Sequence, residues 1–512
     1  MRIATFDLGS NSFHLLIAEA GPNQTFVPIT TDKEMLSLGA AVAEHDGIIP
    51  DELLARALDT VRRFRRLADA GGAQEIRAVA TSAFRIAQNA DVLLDRIASE
   101  CGVEVEVISG HREAELVFGA VRAAVVLQPA PALCADLGGG SLELIVGDAT
   151  GARWLTSLPL GVGRLTAQYV HEDPLSKKER RRLHDAIRKI LDPVINEVAE
   201  FAPRMLVGSS GTFQAIAAMC AARRFGSVPM RLNQFRFTQA EFHEVAQSVL
   251  ALDAEGRRSV MGLDARRVPV IAAGLLVCGA LFDATGIDAM TISEWALREG
   301  VLLDAITHHD PVDWSDDPHA IRRASVEALA RRCSSPEAHA HHVGTIALRL
   351  FDETVDVHGL GAQDRELLEY AAILHDIGEH VAPEGHHRHG AYLVMHGALR
   401  GFDHKEISML AAIVRWHRRG EPKATDDLYD PLDADGLARV RALTAMLQLA
   451  DGLDRGRGSV LRGLTLIVDE DRAHLQVQVV HGEDGELEVW GARRKKGQFE
   501  KLIGRPVDIV VS

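Results

Sequence analysis

Two short glycine-rich stretches constrain this chain more than any other feature: Asp7-Leu8-Gly9-Ser10-Asn11-Ser12 and Asp136-Leu137-Gly138-Gly139-Gly140-Ser141, which begin 129 positions apart (136 minus 7). Each follows an apolar run that reads as a strand, and each opens with an aspartate, so the chain uses one device twice. Glycines let backbone N–H groups approach phosphate oxygens closely, and an aspartate can hold a divalent cation directly or through water. Two such loops facing each other make a phosphate clamp. The plain alternative is a pair of tight turns without chemistry, and repetition of the same Asp-x-Gly pattern after a strand argues against it.

With 512 residues the chain holds more than one domain. Residues 1–127 alternate strands (Ile3–Phe6, Phe13–Ala20, Ile76–Ala80, Val103–Ile108) with helices (Glu52–Ala70, Glu113–Leu127). Pro129-Ala130-Pro131 reads as a boundary, after which the pattern restarts with Ala132–Ala135, the second loop and Leu142–Gly147. Arg204–Val207 leads into a third glycine loop, Gly208-Ser209-Ser210-Gly211-Thr212, and a helix over 213–222. This is α/β architecture, duplicated. Residues 318–455 carry helical periodicity and more than half of the 23 histidines. Beyond 456 the alternation becomes strand-like over Leu464–Val468, Ala473–Val480 and Glu486–Val489, with a helical Gln498–Ile503. Four domains are expected, over 1–127, 128–305, 306–455 and 456–512.

Five scattered cysteines without a CxxC fit a reducing cytoplasm. The N-terminus enters a short apolar run with no basic leader or cleavage site, and no stretch is long and apolar enough to span a bilayer. Net charge of −16 argues against coating nucleic acid. The basic runs at 62–66, 177–182, 415–419 and 493–496 read as solvated faces or as contacts for a polyanion. The expected location is cytoplasmic, with no nucleic-acid or membrane partner.

Asp136 ends one strand and Glu143 starts the next after the loop, which lets both carboxylates face one Mg²⁺, an ion that prefers oxygen ligands. Arg85 follows a strand within small and apolar residues, where a fixed guanidinium pairs with phosphate oxygens. Gly9, Ser10, Asn11, Ser12, Gly138, Gly139, Gly140 and Ser141 offer neutral donors. Glu113 lies in the first turn of a helix, where an acid is also a routine stabilising feature.

Strand, glycine loop and strand, twice over, resembles the actin-like ATPase and sugar-kinase superfamily. Closer matching narrows this. Thr5–His14, Ala80-Thr81-Ser82-Ala83-Phe84-Arg85, Ile108-Ser109-Gly110-His111-Arg112-Glu113-Ala114, Asp136–Glu143, Ser157–Thr166, Gly208–Thr212 and Leu297-Arg298-Glu299-Gly300 resemble, in order, motifs of the exopolyphosphatase and guanosine pentaphosphate phosphohydrolase (Ppx/GppA) family. The resemblance is dense over residues 1–303 and continues to the C-terminus. It implies two actin-like (ribonuclease H-like) α/β domains. It also makes Glu113 the base that activates water and Asp136 and Glu143 the acids holding Mg²⁺ (or Mn²⁺), with Asp7 a weaker third acid behind them. Gly208, Ser210, Gly211 and Thr212 would hold further phosphates of a chain. Two departures stand out: Arg267-Val268-Pro269 replaces a usual Arg-Ala-Asp, and Ala296 stands where glycine is usual.

The helical region contains His341-His342, His375-Asp376-Ile377-Gly378 and Asp451, which resembles an HD domain, the fold of many metal-dependent phosphohydrolases. The resemblance implies that His342, His375, Asp376 and Asp451 chelate a divalent cation, with His389 and His417 adding a second site; mixed histidine and carboxylate ligands suit Mn, Fe, Co, Ni or Zn. The alternative is a scaffold for dimerisation or polymer binding, with His386-His387-Arg388-His389 a basic loop touching polyphosphate. An all-α HD-like domain followed by a small α+β domain completes the expected fold.

The expected activity is Mg²⁺-dependent exopolyphosphatase, releasing terminal orthophosphate from inorganic polyphosphate. Alternatives are hydrolysis of the 5′-terminal phosphate of guanosine pentaphosphate, a sensor without turnover, a kinase, and a phosphodiesterase seated in the HD-like unit. A homodimer is expected by resemblance.

Overall fold

The computed structural model describes residues 1–22, 24–310 and 317–511. The chain forms two compact units, Met1–Ile321 and Arg322–Ser512. Among the described residues no helix is long and apolar enough to cross a membrane. All five cysteines are free and buried.

The first unit is built on two sheets. In the first, β1 (Arg2–Leu8) and β2 (Ser12–Ala20) are antiparallel neighbours joined by the first glycine loop, β3 (Phe26–Met35) pairs antiparallel with β2, and β4 (Glu75–Ala80) and β5 (Val105–Val107) add in parallel on the far side of β1. The parallel step from β3 to β4 needs a crossover, which helix Asp51–Ala70 supplies, burying Leu54, Leu58, Val61 and Phe64. The second sheet repeats the plan. Here β6 (Ala132–Leu137), β7 (Leu142–Asp148) and β8 (Gly151–Leu158) form the antiparallel run, and β9 (Met205–Ser209) lies parallel to β6. Then β11 (Ala289–Ile292) pairs with β9, and β10 (Arg236–Thr238) closes the edge. Every residue of β6 and β7 is buried, which explains why Ala132–Ala135 and Leu144–Gly147 read as continuous apolar runs rather than as alternating strands.

The repeat extends to register. Asp7 pairs with His14 across β1 and β2, and Asp136 pairs with Glu143 across β6 and β7. His14 therefore occupies, in the first half, the place that Glu143 holds in the second.

The chain leaves the first sheet earlier than the boundary at 127 implies. Helix Gly110–Ala124 packs on the second sheet, with Val117 and Val121 against Cys134, Ile145 and Val207. Helix Leu297–His309 returns the exchange by burying Leu302, Ala305 and Ile306 on Ile3, Leu16 and Ala18 of the first sheet. The two helices cross where a Cβ on Gly300 would lie 2.1 Å from the Leu116 carbonyl oxygen, so only glycine fits there.

In the second unit, helices Glu337–Glu353, Ala362–Leu374, His404–Trp416 and Ala434–Gly452 surround one core. The small sheet β12-β13-β14 (Leu461–Val468, Ala473–Val479, Val507–Val511) contributes Leu475, Val477 and Val507 to that same core, which Phe499 also joins. Two readings of the C-terminal region change. Glu486–Val489, expected as a strand, opens helix Glu486–Lys495; Glu486 and Glu488 in its first turn and Arg493, Arg494 and Lys495 in its last suit a helix dipole. The third strand is instead Val507–Val511, parallel to β13.

Candidate active site

The two glycine loops turn in the same way: Gly9 N–H donates to the Ser12 carbonyl at 3.2 Å, and Gly138 N–H donates to the Ser141 carbonyl at 3.0 Å. They also face one another. A Cβ on Gly139 would sit 2.9 Å from the Asn11 Cβ, and one on Gly140 would sit 2.8 Å from Ser10 Oγ and 2.6 Å from Ser82 Oγ. Gly161 passes so close behind the second loop that a Cβ there would lie 2.2 Å from the Gly140 carbonyl carbon. Glycines are required at these positions because two backbones approach to contact.

Between the loops opens a cleft of about 530 Å³. Asp7, Gly9, Ser10, Asn11, Ser12, Glu113, Asp136, Gly138, Gly139, Gly140, Ser141, Ser210, Gly211 and Thr212 all line it. Three of the residues expected in the site do not. Gly208 is inside β9, where a Cβ would meet Met290 Sδ at 2.7 Å and Phe213, so it serves packing and not phosphate. Glu143 and Arg85 stand behind the wall.

Arg85 is placed differently from the expectation. Its Nη1 donates to Glu113 Oε2 at 3.0 Å and to the Ile108 carbonyl at 2.7 Å, so it fixes the carboxylate rather than reaching the cleft. Glu113 is aimed by its helix start: Ser109 Oγ caps the helix by accepting from Arg112 N–H, and Gly110 lets that end press against Ser157, where a Cβ would meet Ser157 Oγ at 2.7 Å. Ser157 Oγ in turn donates to Glu143 Oε1 at 2.7 Å, and Ser209 Oγ donates to Asp136 Oδ1 at 2.5 Å.

Burial governs the charge state of these acids. It pushes the Asp7 carboxyl up to about 8, reinforced by Glu113, while Arg298 opposes. It pushes Asp136 up to about 6, against the Ser209 hydrogen bond, and raises Glu143 well above the usual carboxylate range, helped by Glu113 and Asp136. Glu113 rises to about 7 through burial, with Arg85 pulling it down. Asp7 Oδ1 and Glu143 Oε2 are buried with no hydrogen-bond partner. Crowded acids with orphaned oxygens are costly unless a cation joins them. The all-oxygen chemistry is that of a divalent ion of the Mg²⁺ class, which keeps several of its waters; among the described residues no three of these carboxylates gather within ligand distance of one another.

The cleft is also lined by three cations outside the expected set: Lys33, Arg267 and Arg298, the last paired with Glu299. Burial, then Arg267 and Arg266, lower the Lys33 amine to about 8. The Arg267 guanidinium lies on Gly211, where any Cβ would collide with it. Arg267 was visible in sequence only as a departure from a motif, and Lys33, on a strand outside every motif, had no local signal. The basic run at 62–66 is engaged by surface acids instead: Arg62 with Asp59, Arg63 with Asp32 and Arg65 with Asp69.

In the second unit, His375 and Asp376 gather with His339 rather than His342, and with His386 rather than His389. His341 is exposed and His342 Nε2 is buried without a partner. Asp451 is ion-paired to Lys495. A helix offers several histidines within one turn, and only packing selects which one faces inward.

Residues 16–309 match the family model described as the Ppx/GppA phosphatase family, and residues 321–490 match that of Ppx/GppA phosphatase, domain III. A guanosine-5′-triphosphate,3′-diphosphate pyrophosphatase of Vibrio vulnificus (strain YJ016) is 29% identical over 420 residues, covering 81% of this chain and 80% of that protein. Among solved structures, an exopolyphosphatase from Cytophaga hutchinsonii is 30% identical with a TM-score of 0.57, covering 60% of this chain and 98% of its own. An Aquifex aeolicus member of the Ppx/GppA family is 27% identical with a TM-score of 0.52, covering 61% of this chain and 99% of its own.

Proposed function

The chain belongs to the Ppx/GppA phosphatase family, and from that premise we propose that it is a Mg²⁺-dependent exopolyphosphatase, hydrolysing the terminal phosphoanhydride of inorganic polyphosphate. The observation that carries the choice of substrate is the lining of the cleft. Lys33 and Arg267 supply positive charge along it, with Arg298 paired to Glu299, and among the described residues no Phe, Tyr or Trp lines it, the apolar lining being the aliphatic Leu137, Val162 and Leu297. A chain of phosphates needs repeated cationic contacts, whereas a guanine is held best by stacking on an aromatic ring.

The terminal phosphate sits between the two glycine loops, held by backbone N–H groups and the hydroxyls of Ser12 and Ser141. Glu113 accepts a proton from a water molecule as its oxygen bonds to the terminal phosphorus. The bridging P–O bond breaks, and its electron pair leaves on the end of the shortened chain. Arg85 keeps Glu113 oriented and favours its ionised form. Asp136 and Asp7, which line the cleft, would hold the cation, with Glu143 adding negative charge from behind them; when bound, the cation neutralises phosphate charge and acts as a Lewis acid. The arrangement stabilises charge that develops in the transition state.

The test is orthophosphate release from long polyphosphate and from guanosine pentaphosphate, with Mg²⁺, by the native protein and by Glu113→Gln. The proposal expects a higher kcat/KM on polyphosphate and a fall of about 10²–10⁴-fold in the variant. Full activity of the variant on both substrates would remove Glu113 from its role. A higher kcat/KM on guanosine pentaphosphate would favour the second reading, 5′-phosphohydrolysis of that nucleotide, to which the Vibrio relative points.

A further inference from the structure

Lys33 is the first lysine of the chain, and the next stands at 177. It lies half-buried on β3 and lines the phosphate cleft. Strand alternation decides its company. Asp32 and Glu34, its two neighbours in sequence, both pair with Arg63 on the other face of β3. Lys33 instead joins a row across three strands, because Asp7 pairs with His14 and His14 pairs with Lys33. All three members of that row line the cleft.

The charges that act on the Lys33 amine are mainly positive. Arg267 and Arg266 act most strongly and Arg298 adds to them, while Asp264 opposes but is itself held by Arg266. Arg298 is paired with Glu299, so Lys33 and Arg267 are the cleft cations without an acid partner among the described residues. Burial and these neighbours bring the amine to about 8, so near pH 8 about half of it is neutral, whereas an ordinary lysine stays almost wholly protonated. A neutral amine is a nucleophile. This one stands in a cleft whose glycine loops are shaped to hold a phosphate group. The reagent that suits both features is an acyl phosphate, which offers a phosphate to the cleft and a carbonyl carbon to the amine.

We propose that Lys33 is an acylation site for acyl phosphates, which enter the cleft by their phosphate end and leave the acyl group on the Lys33 amine. The Nζ lone pair attacks the carbonyl carbon and an amide bond forms. The bond from that carbon to the phosphate oxygen breaks, its electron pair leaves on orthophosphate, and the surplus proton of the amine goes with it. The product carries no charge at Lys33, so Arg267 is then the one unpaired cation of the cleft among the described residues, and the grip on a polyanion weakens. That last consequence rests on the phosphate-chain reading given above; the acylation does not. Lys177 and Lys178 are exposed on a helix outside the cleft, which makes them internal references.

The test incubates the full chain with acetyl phosphate near pH 8, without Mg²⁺, and follows acetylation of each lysine by peptide mass spectrometry. Lys33 is expected to react at least about tenfold faster than Lys177 and Lys178. Tripolyphosphate should protect Lys33 and leave those two unaffected. The uncharged acetyl ester of N-hydroxysuccinimide should show a smaller preference for Lys33. A rate at Lys33 no higher than at the two references, no protection by tripolyphosphate, or equal preference with the uncharged ester would overturn the proposal. The consequence is read by calorimetric binding of tripolyphosphate without Mg²⁺. Lys33→Gln, which copies the neutral amide, should bind at least about fivefold more weakly than the native protein, and Lys33→Arg should bind as the native protein does. Equal affinity of all three would overturn control of binding by acylation. None of these readouts is turnover, so a chain that prefers guanosine pentaphosphate would leave them unchanged.

Discussion

In the mechanism we propose, Glu113 is the residue on which the chemistry of the first unit turns. It is buried, its pKa is raised to about 7, and its partner in the ion pair is Arg85. A base works ionised, so kcat/KM is expected to rise with pH through the range where Glu113 loses its proton. Removing the Arg85 cation raises that pKa further. Arg85→Met should therefore move the acidic limb to higher pH and, for a shift of about one pKa unit, lower the rate at pH 7 by about fivefold, since Glu113 goes from about half ionised to about a tenth. Arg85→Lys should lie between. A pH–rate profile that keeps its limb while KM rises would instead restore Arg85 to direct phosphate contact. The sequence showed a lone arginine among small and apolar residues, but its partner lies 28 positions away. Local pattern carries no information about which of several acids it meets.

At the scale of elements, the glycines divide by what surrounds them. Gly161→Ala would drive a methyl into the Gly138–Ser141 loop and is expected to cost about 1–3 kcal/mol together with most of the activity. Gly119 lies mid-helix in Gly110–Ala124, and a Cβ added there would meet nothing within 4 Å, so Gly119→Ala should stabilise by about 0.5–1 kcal/mol. Thermal melts of the two variants check both signs. A stabilised Gly161→Ala would mean that the loops do not approach as described. Strands β1, β2, β6 and β7 were readable because each is a local apolar run next to a glycine loop. Glu486–Val489 was misread because Leu487 and Val489 alternate like a strand, while helix Glu486–Lys495 is supported by residues beyond that window.

At the scale of the whole molecule, the change of composition near 456 looked like a domain boundary. The core of the second unit ignores it, since Leu443 and Leu447 share one cluster with Leu475, Val477 and Phe499. A chain ending at residue 455 should thus lose the cooperative unfolding of its helical unit and become protease-sensitive from about 322 onward, while residues 1–321 keep their own transition. Protection of 322–455 in the truncated chain would show that the helices stand alone.

The amino-acid sequence by itself determined the duplicated strand–loop–strand units and the aspartate at the head of each loop, while Glu113 and Glu143 were singled out by the family resemblance. These follow from periodicity and motif over a few neighbouring residues. The tertiary structure decided that the two loops face each other, that Arg85 serves Glu113, that Lys33 and Arg267 join the cleft, that Gly208 is core, and that His339 and His386 displace His342 and His389. Each of these depends on which faces of distant elements are pressed together, and side-chain direction on a helix or strand becomes specific only when packing selects the face.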